Sequence, residues 1–224
     1  MCSVLSGEFT MFCVCCFCFF QAKDGIRDLV RSRGRGDVYK RQVRDIQVLA
    51  PIYRGPAGVI ALNERLQEKL NPPANNKLER KLYGTIFRLG DKVMQTQNNY
   101  DKDVYNGDIG FVTSIDVVEQ TLVLDFDGRI TTYDWSDADQ LTLAYVVSIH
   151  KAQGSEFPVV VMPIVTQHYT MLQRNLLYTA ITRARKLCVL AGSPRAISMA
   201  VRNNKVSQRF TALEWRLSKT GSAV

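Results

Sequence analysis

Three short segments of this 224-residue chain stand out for the polar and charged side chains that they carry. In residues 49–58, an apolar stretch leads into a loop that is rich in Gly and Pro and contains Arg54. Residues 148–157 (SIHKAQGSEF) follow a second apolar stretch and supply hydroxyl, imidazole, ammonium, amide and carboxylate groups. Residues 174–186 (RNLLYTAITRARK) read as a helix whose end carries Arg183 and Arg185. In a loop rich in Gly and Pro the backbone can approach a ligand closely, so the segment with Arg54 is a candidate ligand-binding loop.

Each segment also has an interpretation that needs no ligand. An exposed loop arginine is usually only solvated, and a polar loop after a strand often caps the next helix. Arginines near the end of a helix interact favourably with the helix dipole. However, ligands bind beyond the carboxyl ends of strands in open α/β sheets, which favours a functional role for residues 148–157. The order and spacing of all three segments together are more specific than any one of them.

Other chemistries have little support in the sequence. The phosphate-binding pattern G-x-x-x-x-G-K-[ST] is absent. Asp125 ends an apolar stretch, as metal-binding acids do, but the hairpin signal at 127–128 favours an exposed acid instead. His150 and His168 are the only histidines, and five of the six cysteines are crowded into residues 2–18 without the paired spacing of a zinc site. We therefore predict no metal site.

The hydrophobic pattern divides the chain into two kinds of predicted secondary structure. Residues 43–82 and 144–224 alternate between strands and helices, whereas residues 83–143 contain short strands separated by turn signals. The predicted strands cover residues 45–51, 91–96, 109–117, 121–126, 130–135, 145–149, 159–164 and 187–191. The predicted helices cover residues 59–70, 172–184 and 193–203, with a polar linker after residue 70. The sequence thus predicts one α/β domain interrupted at 83–143 by a small antiparallel β-barrel.

Residues 1–42 differ from the rest of the chain. The apolar, cysteine-rich run is followed at residues 24–42 by a basic, Gly/Arg-rich stretch with no secondary-structure period. This stretch is compatible with an RNA-binding arm, but it also looks like translated adapter or vector sequence. We interpret residues 1–42 as non-native and exclude them from fold prediction.

The charge is distributed unevenly along the chain. The net charge of +8 is the sum of +3 from residues 1–42 and +5 from the remainder. Residues 91–140 hold eleven acidic and three basic side chains, a net charge of −8, whereas residues 174–224 hold ten basic and one acidic, a net charge of +9. The basic segment favours a polyanionic partner. Because no stretch approaches about 18 consecutive apolar residues, we expect no membrane association, and the single cysteine beyond residue 42 is typical of a cytoplasmic chain.

The three segments together resemble motifs IV, V and VI of superfamily 1 helicases, and most closely those of the bacterial RecD-like ATP-dependent DNA helicases. Residues 90–95 (GDKVMQ) and 105–110 (YNGDIG) look like the SH3-like module that these enzymes insert into their second RecA-like domain. The resemblance implies a RecA-like C-terminal helicase domain with an SH3-like barrel inserted at 83–143. It also implies movement from 5′ to 3′ along DNA.

The resemblance implies a role for each matching residue. Arg183 is expected to act as the arginine finger on the γ-phosphate of ATP, with Arg54 as its companion. The residues expected at the nucleotide are Glu156, Gly154 and Gln153. Single-stranded DNA is expected to contact Ser148, His150, Asn99 and Tyr100.

The resemblance also implies that half of the catalytic apparatus lies elsewhere. ATP and Mg²⁺ are held mainly by the first RecA-like domain of such helicases, and this missing N-terminal helicase domain is an expected partner of the chain. We therefore expect the chain to be a fragment that is inactive alone. Two alternatives stay open, namely a non-enzymatic DNA- or protein-binding module and a fragment of a conjugative relaxase-helicase.

Overall fold

A computed structural model describes residues 4–6, 9–14, 43–75, 77–169 and 171–204, with side chains described from residue 43 onward. The strands are β1 (Val4–Ser6), β2 (Phe9–Val14), β3 (Ile46–Ala50), β4 (Glu79–Leu82), β5 (Thr85–Arg88), β6 (Lys92–Gln95), β7 (Ile109–Asp116), β8 (Thr121–Phe126), β9 (Arg129–Asp134), β10 (Leu141–Leu143), β11 (Val146–Ser148), β12 (Phe157–Ile164) and β13 (Ala184–Gly192). The α-helices are α1 (Val59–Leu70), α2 (Arg174–Ile181) and α3 (Pro194–Arg202).

The α/β part is built on a six-stranded sheet in the order β1-β2-β13-β12-β3-β11. All neighbours from β2 to β11 pair in parallel, and only β1 and β2 pair antiparallel. Strands buried on both faces read as continuous apolar runs, as residues 157–164 and 187–191 do in the sequence. The predicted α/β class is therefore confirmed, as is the helix predicted over residues 59–70.

The first two strands come from the segment that sequence analysis set aside. Strand β2 lies in parallel beside β13, with Thr10 opposite Leu187 and Val14 opposite Ala191. Six residues of the apolar, cysteine-rich run form this strand. Residues 15–42, which include the basic stretch, lie outside the described residues, and the interpretation of residues 1–42 as non-native stays a prediction.

Helix α1 is fixed to the sheet by a buried amide. Asn63 donates from Nδ2 to the Val146 carbonyl at 2.8 Å and accepts the Val146 N–H at 2.9 Å. Val59 and Leu66 share this buried face of the helix. The helix thereby covers β11 at the sheet edge, where strand pairing alone leaves backbone groups open. None of the described helices is long and apolar enough to cross a membrane.

The inserted module is a five-stranded antiparallel sheet in the order β10-β6-β7-β8-β9. The turn between β8 and β9 is formed by Asp127 and Gly128, both with positive φ (50° and 94°). An Asp-Gly pair adopts this conformation readily, so the predicted two-residue hairpin is confirmed. Gly110 on β7 permits close packing, because a Cβ there would lie 2.8 Å from a ring carbon of Phe126.

Several elements differ from the sequence-based prediction. Strands β5 and β10 are absent from the predicted strands. The helix predicted over residues 172–184 spans only Arg174–Ile181, so Arg185 lies in β13 and not at the end of a helix. Residues 71–82 were predicted to be a polar linker, but Glu79–Leu82 forms strand β4 and pairs antiparallel with β5. The three charged side chains of β4 are exposed, so the strand has no alternating apolar pattern that would signal it. Backbone pairing with β5 and the ion pair between Glu79 and Arg88 hold β4 in place.

A buried carboxylate joins the inserted module to the α/β part. Asp91 accepts hydrogen bonds from Gln67 Nε2 at 2.5 Å, Asn71 Nδ2 at 2.6 Å and Tyr145 Oη at 2.9 Å, and the Arg88 N–H adds a fourth at 2.7 Å. Burial raises the pKa of Asp91, although the four donors each lower it. The donors come from α1, β5 and the link between β10 and β11, so this network fixes the module against the domain.

Candidate functional site

The loop that carries Arg54 folds back onto the start of α1. The N–H groups of Val59 and Ile60 donate to the carbonyls of Ile52 and Tyr53 at 3.0 and 3.2 Å. Gly58 is required at this point, because a Cβ there would lie 2.6 Å from the Arg54 carbonyl oxygen. The backbone is thus tightly held, while the Arg54 side chain is exposed at the carboxyl end of β3.

Ser148 and His150 lie at the same edge of the sheet as the Arg54 loop. Ser148 ends β11 opposite Ala50, and the Ile149 N–H donates to the Ala50 carbonyl at 3.2 Å. The Ser148 hydroxyl accepts the Lys151 N–H at 3.3 Å and so orders the turn that follows. His150 is exposed, and its imidazole forms no hydrogen bond with another described residue. This edge therefore presents a hydroxyl, an imidazole and an arginine to solvent.

Residues 149–156 connect the two edges of the sheet. They begin at the carboxyl end of β11 and end where β12 starts, and the buried side chains of Ile149 and Ala152 anchor them. Gly154 has a φ of +88°, which favours glycine and lets the backbone turn toward β12. Glu156 then forms an ion pair with Arg185, with Nε 2.9 Å from Oε2 and both side chains more than half exposed.

Arg183 is held against the end of this connection. Its Nη1 donates to the Ser155 carbonyl at 3.2 Å and its Nη2 to the Thr182 hydroxyl at 3.4 Å. Its backbone carbonyl accepts the Phe157 N–H at 2.8 Å, which joins the end of α2 to the start of β12. Among the residues that the structure describes, the buried Nε of Arg183 has no hydrogen-bond partner.

The two predicted catalytic arginines lie at different edges. In the parallel register, Phe157 at the start of β12 lies opposite Ala184 at the start of β13. The carboxyl end of β3 lies beside the position six residues further along β12. At about 3.3 Å per residue, the end of β3 is about 20 Å along the strand direction from the start of β13. No hydrogen bond or ion pair between described residues joins Arg54 to Arg183. The register alone does not bring the pair together, and their joint contact with one phosphate stays a prediction.

The two predicted DNA contacts in the loop of the inserted module differ in their surroundings. Tyr100 is exposed to solvent, whereas the side chain of Asn99 forms hydrogen bonds within the module. Tyr100 is 76% exposed and packs edge to face on Tyr105, with ring centroids 6.1 Å apart. Asn99 instead uses its side chain within the module, where Oδ1 accepts the Lys102 N–H at 3.1 Å. Its Nδ2 also donates to Gln140 Oε1 at 3.4 Å. Tyr100 is therefore exposed on the module surface, while Asn99 shapes the loop.

A small pocket brings together residues that sequence analysis did not connect. It has a volume of about 120 Å³ and is lined by Ile149, His150, Gln153, Met171, Gln173, Asn175, Leu176 and Thr179. Gln153, predicted at the nucleotide, shares this pocket with His150. Asn175, Leu176 and Thr179 belong to the segment 174–186, but the sequence predicts no role for their side chains. The helix begins beside the carboxyl edge of the sheet, and only that packing brings them to His150.

The site suits part of a nucleotide-binding apparatus. Arg183 can contact phosphate oxygens, and Glu156 can accept hydrogen bonds from ribose hydroxyls. Among the residues that the structure describes, no group of three or more His, Cys, Asp or Glu side chains is placed to hold a metal ion. The roles of Arg183 and Glu156 at a nucleotide stay predictions.

Family models match both parts of the fold. The SH3 domain of ATP-dependent RecD-like DNA helicases matches residues 62–126, and the UvrD-like helicase C-terminal domain matches residues 143–191. Two solved structures of Pif1 helicases have the same fold, each with a TM-score of 0.50. One, a Bacteroides Pif1 in complex with ADP-AlF3 and ssDNA, is 16% identical and is matched over 85% of this chain and 51% of its own. The other shows two coordinating Pif1 helicases at forked dsDNA, with 18% identity over 84% of this chain and 49% of its own.

The relatives of this chain include RecD proteins of two bacteria. The ATP-dependent RecD2 DNA helicase of Deinococcus radiodurans is 36% identical over 169 residues, which cover 75% of this chain and 23% of that protein. The RecBCD enzyme subunit RecD of Mycobacterium tuberculosis is 29% identical over 193 residues, which cover 84% of this chain and 31% of that protein. The fold and the matched models define a helicase C-terminal region of superfamily 1. The chain is homologous to the RecD-like DNA helicases and spans less than a third of the length of these two relatives.

Proposed function

We propose that this chain is the C-terminal part of a cytoplasmic, ATP-dependent DNA helicase that moves from 5′ to 3′. It supplies an arginine finger and contacts to single-stranded DNA, while ATP and Mg²⁺ are held mainly by a first RecA-like domain outside this chain. The observation that carries the proposal is the position of Arg183 on the Ser155 carbonyl. It sits at one end of a connection whose other end presents Ser148 and His150.

At the nucleotide edge, Arg183 reaches the γ-phosphate of ATP that is bound to the first domain. Its fixed charge stabilises negative charge as it develops on the phosphate, an effect worth about 10³–10⁵ in rate in related enzymes. Glu156 accepts hydrogen bonds from the ribose, and Gly154 lets the backbone approach closely. Arg54 acts as a second arginine beside Arg183, although its loop begins at the other edge of the sheet.

At the DNA edge, Ser148 and His150 contact the phosphate backbone of a single strand. Residues 149–156 are short and anchored by Ile149 and Ala152, so a shift of Arg183 or Glu156 on nucleotide binding is transmitted along them. The exposed ring of Tyr100 supplies a stacking surface in the inserted module. The Bacteroides Pif1 structure of the same fold, which is in complex with ADP-AlF3 and ssDNA, supports this assignment.

The proposal is tested by single-strand binding and ATP hydrolysis of the purified chain. We expect the wild-type chain to bind a fluorescent single-stranded oligonucleotide in an anisotropy titration, with an affinity that falls as salt rises. A Ser148→Ala/His150→Ala variant is expected to bind about 5- to 10-fold more weakly, because two phosphate contacts are lost. ATP hydrolysis by the chain alone is expected to be at background.

Ser198→Ala provides the matched control, because Ser198 is exposed on α3, away from these residues. Its affinity for the oligonucleotide is expected to equal that of the wild type. Two results contradict the proposal. One is the absence of single-strand binding even at low salt, and the other is ATP hydrolysis by the chain alone that Arg183→Ala abolishes.

A further inference from the structure

The pocket between residues 149–153 and the start of α2 has a composition of its own. Its floor is apolar, formed by Ile149 and Leu176, which are 1% and 8% exposed. Its walls carry amide, hydroxyl and imidazole side chains from both segments. The lining contains no Lys, Arg, Asp or Glu side chain. A polar wall of this kind over an apolar floor differs from the arginine-containing edges described above.

The polar side chains of the wall are available to a ligand. The side chains of His150, Gln153 and Gln173 form no hydrogen bond with any other described residue. Asn175 uses Oδ1 to accept the Leu176 N–H at 2.8 Å, which leaves its Nδ2 donors open. Thr179 donates its hydroxyl to the Asn175 carbonyl at 2.9 Å and so keeps its acceptor lone pairs. Donors and acceptors are therefore present together around one small cavity.

Such a wall suits a nucleobase better than a phosphate. Phosphate binding favours cationic side chains, and none lines the pocket. A base edge presents hydrogen-bond donors and acceptors in one plane, and Asn and Gln amides pair with adenine through both kinds of group. In single strands the unstacked bases expose these edges. The apolar floor gives the base a surface to lie against when it leaves the stack.

We propose that this pocket receives one unpaired base of the single strand. The amides of Gln153, Gln173 and Asn175 bind its edge, and the exposed Lys151 contacts a neighbouring phosphate. This inference rests on the proposed function, because it requires the strand to pass Ser148 and His150. It assigns Gln153 to DNA, and it adds Gln173 and Asn175 as contacts.

The test compares short oligo(dA) with an abasic oligonucleotide of the same length, using anisotropy titrations across a series of salt concentrations. A Gln153→Ala/Gln173→Ala variant is expected to bind oligo(dA) about 5- to 10-fold more weakly than the wild type, with the same salt slope. With the abasic oligonucleotide, variant and wild type are expected to bind alike. Lys151→Ala is expected to weaken both and to reduce the salt slope by about 1.

Gln120→Ala is the matched control, because Gln120 is exposed in the inserted module and lies outside the pocket. Its binding of both oligonucleotides is expected to match that of the wild type. An equal loss with oligo(dA) and abasic DNA would place phosphate in the pocket and overturn the inference. So would unchanged binding of both by the double variant. If the wild type binds neither oligonucleotide, the proposed function itself is overturned.

Discussion

The carboxylate of Asp91 shows how one side chain organises two structural units. It is fully buried, and its four hydrogen-bond donors come from the helix, the hairpin and the chain that returns from the inserted module. Asn71, one of these donors, also accepts a hydrogen bond from Lys77 Nζ at 2.6 Å. Each donor is buried with the carboxylate, so its loss leaves several polar groups without a partner.

Asp91→Ala is expected to lower the free energy of unfolding by about 3 kcal/mol, because it leaves buried donors without an acceptor. Urea denaturation followed by fluorescence measures this change. Asp101→Ala is the control, since Asp101 is exposed in the same module, and its effect is expected to stay within about 0.5 kcal/mol. Equal effects of the two substitutions would show that the Asp91 network contributes little.

At the scale of elements, the parallel strands β12 and β13 support the segments proposed to act on nucleotide and DNA. Their pairing runs from Phe157 opposite Ala184 to Ile164 opposite Gly192. At the last pair the chains approach so closely that a Cβ on Gly192 would overlap the Ile164 carbonyl oxygen. The Ser193 N–H donates to that same carbonyl at 3.2 Å, and the Ser193 hydroxyl caps α3. Glycine at this position therefore permits both the strand pairing and the start of the helix.

Gly192→Ala is expected to cost about 3 kcal/mol of unfolding free energy, because the added methyl group must displace backbone. Gly128→Ala provides a comparison in which only conformational strain acts. Gly128 has a φ of +94° and open space around its Cα, so about 1 kcal/mol is expected. Urea denaturation of both variants tests the ranking, and a larger loss for Gly128→Ala would contradict it.

At the scale of the molecule, the inserted module and the α/β part share a hydrophobic core. Val48, Val59 and Leu66 of the α/β part lie in one cluster with Phe87 and Tyr133 of the module. Lys92 lies at the same junction, where its Nζ donates to the carbonyls of Val43 and Ile46 at 3.0 and 3.2 Å. The module is therefore a continuation of the domain core, and an ammonium group is buried at their junction.

Burial lowers the pKa of Lys92 to about 7, and the nearby charge of Asp45 opposes this shift. The unfolded chain binds this proton up to about pH 10.5, so between pH 7 and pH 10.5 the unfolded state holds more protons than the folded state. Stability is therefore expected to rise with pH in this window, by about 1–2 kcal/mol between pH 7 and pH 9. Urea midpoints measured at several pH values follow this rise.

Lys92→Met keeps the length of the side chain and removes its charge. The contribution of Lys92 to the slope of stability against pH is then expected to disappear, while all other titrating groups are unchanged. An identical slope in the wild type and the variant would show that the buried ammonium does not titrate in this range.

Sequence patterns identified most of the fold. The apolar runs and the Asp-Gly turn predicted the α/β texture and the β8–β9 hairpin, because local periodicity and turn conformation are encoded over a few residues. Strand β4 escaped prediction, since its charged side chains are exposed and its stability comes from pairing with β5. The hydrogen bonds from Gln67, Asn71 and Tyr145 to Asp91 could not be predicted either, because these residues are distant along the chain.

For the candidate site, the sequence by itself determined which residues are predicted to carry the chemistry. The motif resemblance identified Arg54, Ser148, His150, Glu156 and Arg183 from residue type and order. Only the tertiary structure decided how they are grouped. The parallel register places Arg183 and Glu156 at one edge of the sheet, and Arg54, Ser148 and His150 at the other. It also joins Gln153 to the start of α2 in a pocket. Distances between elements depend on strand order and helix packing, which long-range burial fixes and which no local pattern in the chain encodes.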